Sequence, residues 1–352
     1  MSEQTNTDTD TGNGTDTDTD TPWAIELTPE HPTERIADLA ALAEDQGFGV
    51  AFTSSHYFNR DPFVALSRIA AATDELRLGP GVSNPYETHP VKLAAQTATI
   101  DELSGGRAVF GVGAGDRSSL ANLGIERDRP LRRVLETFDV ARDLWDGETV
   151  THEGTFTAKD AALNLEPVSD IPVYVGAQGP HMLRMSAKHA DGVLINAAHP
   201  ADLEWAADEL ERGLEERPDE RGPFESLAFA SVSVAGDESD AREAARPPVA
   251  FIAGGAADPV LERHDIDREA ASAVSNALER GDLNEAFGRV TPEMIDAFCI
   301  AGTTETVADR FEAALEHVDG IVVGSPLGPD LEDAIERASE ALANATRRVE
   351  GE

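Results

Sequence analysis

The segment Leu78-Gly-Pro-Gly-Val-Ser-Asn-Pro-Tyr-Glu-Thr-His-Pro90 decides how the chain is read. It closes an apolar strand read at residues 75–78, and Gly79, Pro80 and Gly81 are expected to interrupt the ladder there. Glycine inside a strand pattern marks a bulge or a place where a ligand approaches the backbone, and proline removes a ladder donor. The plainer alternative is a tight strand-to-helix turn, since Asn84-Pro85 initiates turns and residues 91–103 carry helical apolar spacing. On either reading the unit is strand, turn, helix.

That unit recurs outward in both directions. Further strands are predicted at residues 23–27, 50–53, 108–112, 171–175, 192–195, 227–234 and 321–323. Helices are predicted between them at 33–46, 62–72, 131–145, 182–190 and 201–214, with a closing helix at 331–342. Residues 239–300 are helix-rich and too long for one crossover, so they predict an elaborated helical insertion before the eighth strand. Eight such pairs specify an α/β fold of the (β/α)8 TIM-barrel type. Residues 1–21 are almost entirely polar, rich in Thr and Asp, and predict a disordered acidic tail. Residues 22–348 are then one barrel domain.

Composition excludes several functions. The chain carries 67 acidic against 28 basic side chains, a net charge of -39, and only Lys92, Lys159 and Lys188 are lysines. Self-repulsion of that size disfavours a compact state in dilute salt, and at 1 M salt a Debye length of roughly 3 Å screens it. The expected setting is a high-salt cytoplasm. No basic patch exists to neutralise phosphates, which argues against nucleic acid. No long apolar run or leader is evident, so no membrane association is expected. Cys299 is alone and reads as a small buried hydrophobe. No zinc motif is present and His152-Glu153 reads as part of a turn, so no metal site is expected.

Reactive groups of such barrels lie where the strands end, in the βα loops. The strand ends here deliver Glu26, then Ser54, Ser55 and His56, then Gly81, Val82, Ser83 and Asn84. The next ends deliver Gly113, Ala114, Gly115 and Asp116, then Gly176, Ala177, Gln178 and Gly179, then Asn196, and last residues 324–328. Polar, glycine-rich ends on one rim suit a large, oxygen-rich, phosphorylated ligand. Residues 110–115 lack the third glycine of a dinucleotide fingerprint. Residues 325–328 read either as a phosphate loop or as a simple turn. Glu26, a carboxylate on an otherwise apolar strand, either faces solvent or sits buried in the barrel mouth, where its pKa would rise enough for general acid work. His56 is either structural or a ligand contact.

Taken together, Asp101-Glu-Leu-Ser-Gly-Gly-Arg107 and Phe110-Gly-Val-Gly-Ala-Gly-Asp116 resemble the luciferase-like barrel superfamily, whose members bind FMN or the deazaflavin coenzyme F420. The opening segment, Val175-Gly-Ala-Gln-Gly-Pro180, Leu194-Ile-Asn-Ala197, Val249-Ala-Phe-Ile-Ala253 with Glu262-Arg-His264, and Gly324-Ser-Pro-Leu-Gly-Pro329 resemble its F420-dependent methylenetetrahydromethanopterin reductases.

The resemblance implies a cis non-proline peptide at Gly81-Val82 behind the coenzyme ring, with Ser83, Asn84, His56 and Asn196 among the coenzyme contacts. It implies that Gly113, Ala114, Gly115 and Asp116, with Gly176, Ala177 and Gly179, flank the phosphate side and ring edge. It implies Glu26 as the acid and Gln178 as a hydrogen-bonding partner of the pterin substrate, and an assembly of two or four copies. One departure stands out: Ser55 occupies the position where the family pattern has Asp. The implied reaction is reduction of a methylene bridge on tetrahydromethanopterin, or on tetrahydrofolate, to the methyl form. An FMN-dependent monooxygenase and a non-catalytic flavin-binding barrel are the alternatives.

Overall fold

Ala24 and Phe52 face one apolar cluster while their neighbours Ile25 and Ala51 face another, the two-residue alternation of strands buried on both sides. The computed structural model describes residues 23–351, so the tail expectation lies outside the described residues. The strands are β1 (Trp23–Glu26), β2 (Val50–Thr53), β3 (Arg77–Pro80), β4 (Phe110–Gly113), β5 (Val150–Glu153), β6 (Thr157–Ala161), β7 (Val173–Ala177), β8 (Gly192–Ile195), β9 (Glu225–Val234), β10 (Ile300–Gly302) and β11 (Gly320–Leu327). Eight of them run parallel in the order β3-β2-β1-β11-β9-β8-β7-β4. Bridges Leu78 to Ala108 and Ser83 to Val112 join β3 to β4 and close the ring. The predicted (β/α)8 barrel is therefore present.

Its interior is filled by Ala24, Val50, Phe52, Val109, Tyr174, Leu194, Leu227 and Val322, with Val82 and Phe229 above them. Outward-facing Ile25, Leu78, Ile195, Ile321 and Val323 pack against the surrounding helices. Helix boundaries follow local chemistry. Asp61 caps Pro62–Ala72 by accepting from the amides of Phe63 and Val64, and Gly105, at φ 71°, ends Pro90–Ser104.

The third strand departs from its prediction. It lies two residues later than expected, with Gly79 opposite Phe52 and Pro80 opposite Thr53. Arg77 and Gly81 donate toward β2, to the carbonyls of Gly49 and Thr53, whereas Leu78 donates toward β4, to Arg107. Pro80 belongs to the β4-facing set, so its missing N–H falls in the gap between the two closing bridges. Four residues lie between Leu78 and Ser83 against three between Ala108 and Val112, and this is the bulge. The Gly81-Val82 peptide within it is cis.

Several elements were not predicted, among them the helices Arg117–Asn122 and Thr304–Leu315. β5 and β6 form an antiparallel hairpin outside the barrel, and β10 adds beside β9. His152 consequently lies on a strand, with its ring on Phe156 and its Nε2 3.1 Å from Glu136. The predicted insertion is present as helices Glu238–Gly255, Asp258–Arg263, Arg268–Glu279, Leu283–Gly288 and Pro292–Phe298. They enclose an apolar cluster of their own that includes Val249, Val274, Met294 and Cys299. Cys299 is buried, and burial pushes its thiol up to about 12.

Candidate active site

Ala24, Glu26 and Thr28 share one parity along the first strand, so the interior position of Ala24 places the Glu26 side chain inward at the barrel mouth. Only 3 % of Glu26 is exposed. Its oxygens lie 2.9 and 3.0 Å from the Thr28 hydroxyl, and Oε2 accepts from the Ser325 amide at 3.2 Å. Burial pushes the Glu26 carboxyl above its ordinary value, while the hydrogen bonds from Thr28 and Ser325 work in the opposite direction. The solvent-facing alternative for Glu26 is thereby overturned. Ser54 lies beside it, with a buried hydroxyl that has no hydrogen-bond partner of ordinary geometry in the protein.

A second patch is organised by Val82. A Cβ on Gly113 would stand 2.6 Å from Val82 Cγ2, one on Gly176 3.1 Å from the same atom, and one on Gly111 3.3 Å from Cγ1. Gly81 is equally confined, 2.8 Å from the Phe52 Cβ. These glycines bring Val82 and the backbones of β4 and β7 together in one shallow cradle. Ser83 is buried beneath it with an unpartnered hydroxyl. Asn84 is buried too, but its oxygen accepts from the amides of Tyr86 and Glu87 and its nitrogen donates to Glu87. Asn84 thus shapes the loop.

The loop after β4 continues the rim. Gly115 has φ 70°, and a Cβ there would meet Leu120 and Asn84 at 3.0 and 3.1 Å. Its carbonyl accepts from Arg127 at 3.0 Å. Asp116 caps the helix Arg117–Asn122 through the Ser119 amide. Half-buried His56 stacks on Phe58 with ring centres 5.1 Å apart. Burial lowers the His56 pKa, and the charges of Asp116 and Glu87 oppose that shift. Ala114 is half-buried, Ala177 is buried, and Gln178 and Asn196 are exposed on the same rim. No Cβ contact constrains Gly179, which precedes the helix Pro180–His189.

Two residues of the Glu26 environment escaped sequence reasoning. Thr28 was legible through its parity with Glu26. Ser325 was not, because its segment reads as a turn or a phosphate loop, whereas its amide is directed at Glu26 and its carbonyl accepts from Ser231. The Asp101–Arg107 motif lies at the other end of the barrel. There Arg107 donates to the carbonyls of Ala70, Thr73 and Leu76, and Asp101 accepts from the amides of Val168 and Ser169.

Comparison with known proteins places the chain in a family. Residues 10–318 match the luciferase-like monooxygenase family. The 5,10-methylenetetrahydromethanopterin reductase of Archaeoglobus fulgidus is 42% identical over 320 residues, covering 89% of this chain and 96% of that protein. The structure of the coenzyme F420 dependent tetrahydromethanopterin reductase from Methanopyrus kandleri superposes with a TM-score of 0.86 at 38% identity, covering 92% of this chain and 98% of that one. An F420-dependent secondary alcohol dehydrogenase, at 20% identity and a TM-score of 0.75 over 92% of this chain and 99% of that one, shares the fold. The chain belongs to the luciferase-like family and, within it, to the 5,10-methylenetetrahydromethanopterin reductases.

Proposed function

We propose that this protein reduces 5,10-methylenetetrahydromethanopterin to the methyl form with reduced coenzyme F420. The observation that carries the reading is Glu26: a carboxyl buried at the barrel mouth, with its pKa raised, on the same rim as the glycine cradle around Val82. The cradle suits a flat ring system, because Gly111, Gly113 and Gly176 make room for half-exposed Val82 to pack directly onto β4 and β7, which leaves an apolar platform with no bulkier side chain beside it. The buried, unpartnered hydroxyls of Ser83 and Ser54 are hydrogen-bonding groups that a polar ring edge satisfies. These residues fit a deazaflavin.

When bound there, the coenzyme supplies a hydride. Val82 and its flanking glycines orient the ring, and the amides of loops 113–116 and 176–179 with Asn196 hold its polar side chain. His56, kept largely neutral near pH 7 by burial, offers either a ring donor or an acceptor. Glu26 protonates the pterin nitrogen from which the methylene bridge is released, and the bridge opens to an iminium carbon able to accept hydride. Gln178, exposed on the rim, hydrogen-bonds the pterin. The net charge of -39 supports a protein at work in molar salt.

The test is made in molar KCl, with reduced F420 and either methylene-tetrahydromethanopterin or methylene-tetrahydrofolate, following the return of oxidised deazaflavin absorbance. Substrate-dependent oxidation supports the reading and identifies the preferred carrier. Absence of oxidation with both pterins, together with FMN-dependent oxygen consumption, overturns it.

A further inference from the structure

A catalytic acid must recover its proton after every turnover, and Glu26 is buried where the coenzyme and substrate cover the barrel mouth. The structure contains another approach to it. A narrow cavity of about 20 Å³, room for a single water molecule, lies under the β1 loop. Glu26 and Thr28 line it, together with Ser325 and Pro326 of β11 and Leu39 of the helix Thr33–Asp45. Glu30 and His31 also line it, and their side chains are 59% and 41% exposed, which brings the cavity to the surface.

Within this cavity Thr28 is the group placed between solvent and acid. Its hydroxyl oxygen lies within 3.0 Å of both carboxylate oxygens. A hydroxyl is both donor and acceptor, so it can give a proton to an ionised carboxylate while taking one from a water behind it. Glu26 has two other hydrogen-bonding neighbours, the Ser325 amide, which can only hold the carboxylate in place, and Ser54, which does not line this cavity. The titratable side chains along the route are Glu30 and His31, on the same loop.

We propose that Thr28 is the relay that reprotonates Glu26, through the cavity under the β1 loop and independently of the occupied mouth. The inference rests on Glu26 being the acid of the proposed reaction. In each cycle Glu26 loses its proton to the pterin nitrogen and becomes a carboxylate. The Thr28 O–H bond then breaks as a new O–H bond forms on Glu26, and the threonine oxygen takes a proton from the cavity water. That water is restored by a hydronium ion or buffer acid at the Glu30 and His31 opening. One proton enters by this route per turnover, matched by the one the coenzyme would release on giving up its hydride, and the relay itself moves no electrons.

The test compares Thr28→Val, which keeps the shape and removes the hydroxyl, with Thr28→Ser, which keeps the hydroxyl. In single-turnover experiments started below the pH at which the Glu26 carboxyl titrates, Thr28→Val is expected to run near the wild-type rate. Its steady-state turnover is expected to fall by about tenfold, with a larger solvent deuterium isotope effect, and Thr28→Ser is expected to restore most of the loss. In the ligand-free protein, the infrared carboxyl band removed by Glu26→Gln is expected to titrate about one pH unit higher in Thr28→Val, the size of a lost hydrogen bond to a charged group. Equal impairment of the first and later turnovers, or unchanged steady-state turnover in Thr28→Val, overturns the relay. Full turnover by Glu26→Gln instead overturns the acid assignment beneath it, and the infrared titration, which needs no catalysis, tells the two failures apart.

Discussion

Val82 and Gly113 are mutually exclusive in size: a Cβ on Gly113 would stand 2.6 Å from Val82 Cγ2, inside any real contact distance. The obstruction is a side chain, so the chain can yield by displacing Val82. Gly113→Ala is therefore expected to fold while raising the KM for reduced F420 by about tenfold, since Val82 forms the cradle. The neighbouring Gly111 differs, because its Cβ would meet the Pro80 carbonyl at 1.8 Å and the backbone cannot step aside. Gly111→Ala should split the seam between β3 and β4, costing more than about 3 kcal/mol and leaving little soluble protein. Thermal unfolding of the two variants side by side checks the contrast.

Glu26→Gln is expected to lower turnover by about 10²–10⁴-fold with F420 affinity retained. Its effect on stability has the opposite sign. The folded-state pKa of Glu26 lies above the ordinary value of 4.5, so the native state binds the proton more tightly than the unfolded chain does. Its contribution is most favourable below that value and is lost as pH rises through the folded pKa. Glu26→Gln should therefore raise the Tm near pH 8, with the gain shrinking toward pH 4. A Tm that falls at pH 8 would contradict the assignment of a costly buried carboxylate.

Glu136 shows the reverse linkage. Hydrogen bonds from the Thr155 amide and hydroxyl, Arg132 and His152 overcome the upward pull of burial and hold its carboxyl at about 2, against an ordinary 4.5. The resulting stability is present above pH 4.5 and is lost as pH falls through about 2. Glu136→Gln is expected to lower the Tm by about 2–4 °C at pH 7, through a loosened β5–β6 hairpin. The deficit should disappear in the acid range, and a deficit independent of pH would count against the ionic origin.

Salt should act on the whole fold. With a net charge of -39, raising KCl from 0.1 to 2 M is expected to lift the Tm by on the order of 10 °C. A flat or falling Tm across that range would remove the case for a high-salt protein. Replacing part of the surface carboxylates by their amides should reduce the dependence in proportion.

The barrel was legible because its strands are apolar runs separated by amphipathic helices, and that pattern survives errors of two residues at any boundary. The third strand shows the limit. Gly79 and Pro80 were read as ending the ladder, yet both lie within it, because a parallel strand alternates the neighbour it bonds and Pro80 falls on the side where the ladder is already open. The β5–β6 hairpin was invisible since Val150-Thr-His-Glu153 and Thr157-Ala-Lys-Asp-Ala161 offer no apolar face. At the site, the sequence left Glu26 open between solvent and the barrel mouth, and only the interior position of Ala24 in the fold settles its direction and, with it, that of Thr28. Ser325 contributes only its amide, and a backbone donor leaves no mark in side-chain chemistry.

The Glu26 carboxylate and the amide that holds it are 299 residues apart in the chain. During synthesis the first strand leaves the ribosome early, whereas its partner strand β11 is among the last segments to appear. A nascent chain short of residue 325 has neither the Ser325 donor nor the β11 wall, and its Glu26 is an ordinary solvated carboxylate. The buried setting of Glu26 thus comes into being only when the ring is complete, so a chain truncated before β11 is expected to lack the activity proposed for that carboxyl.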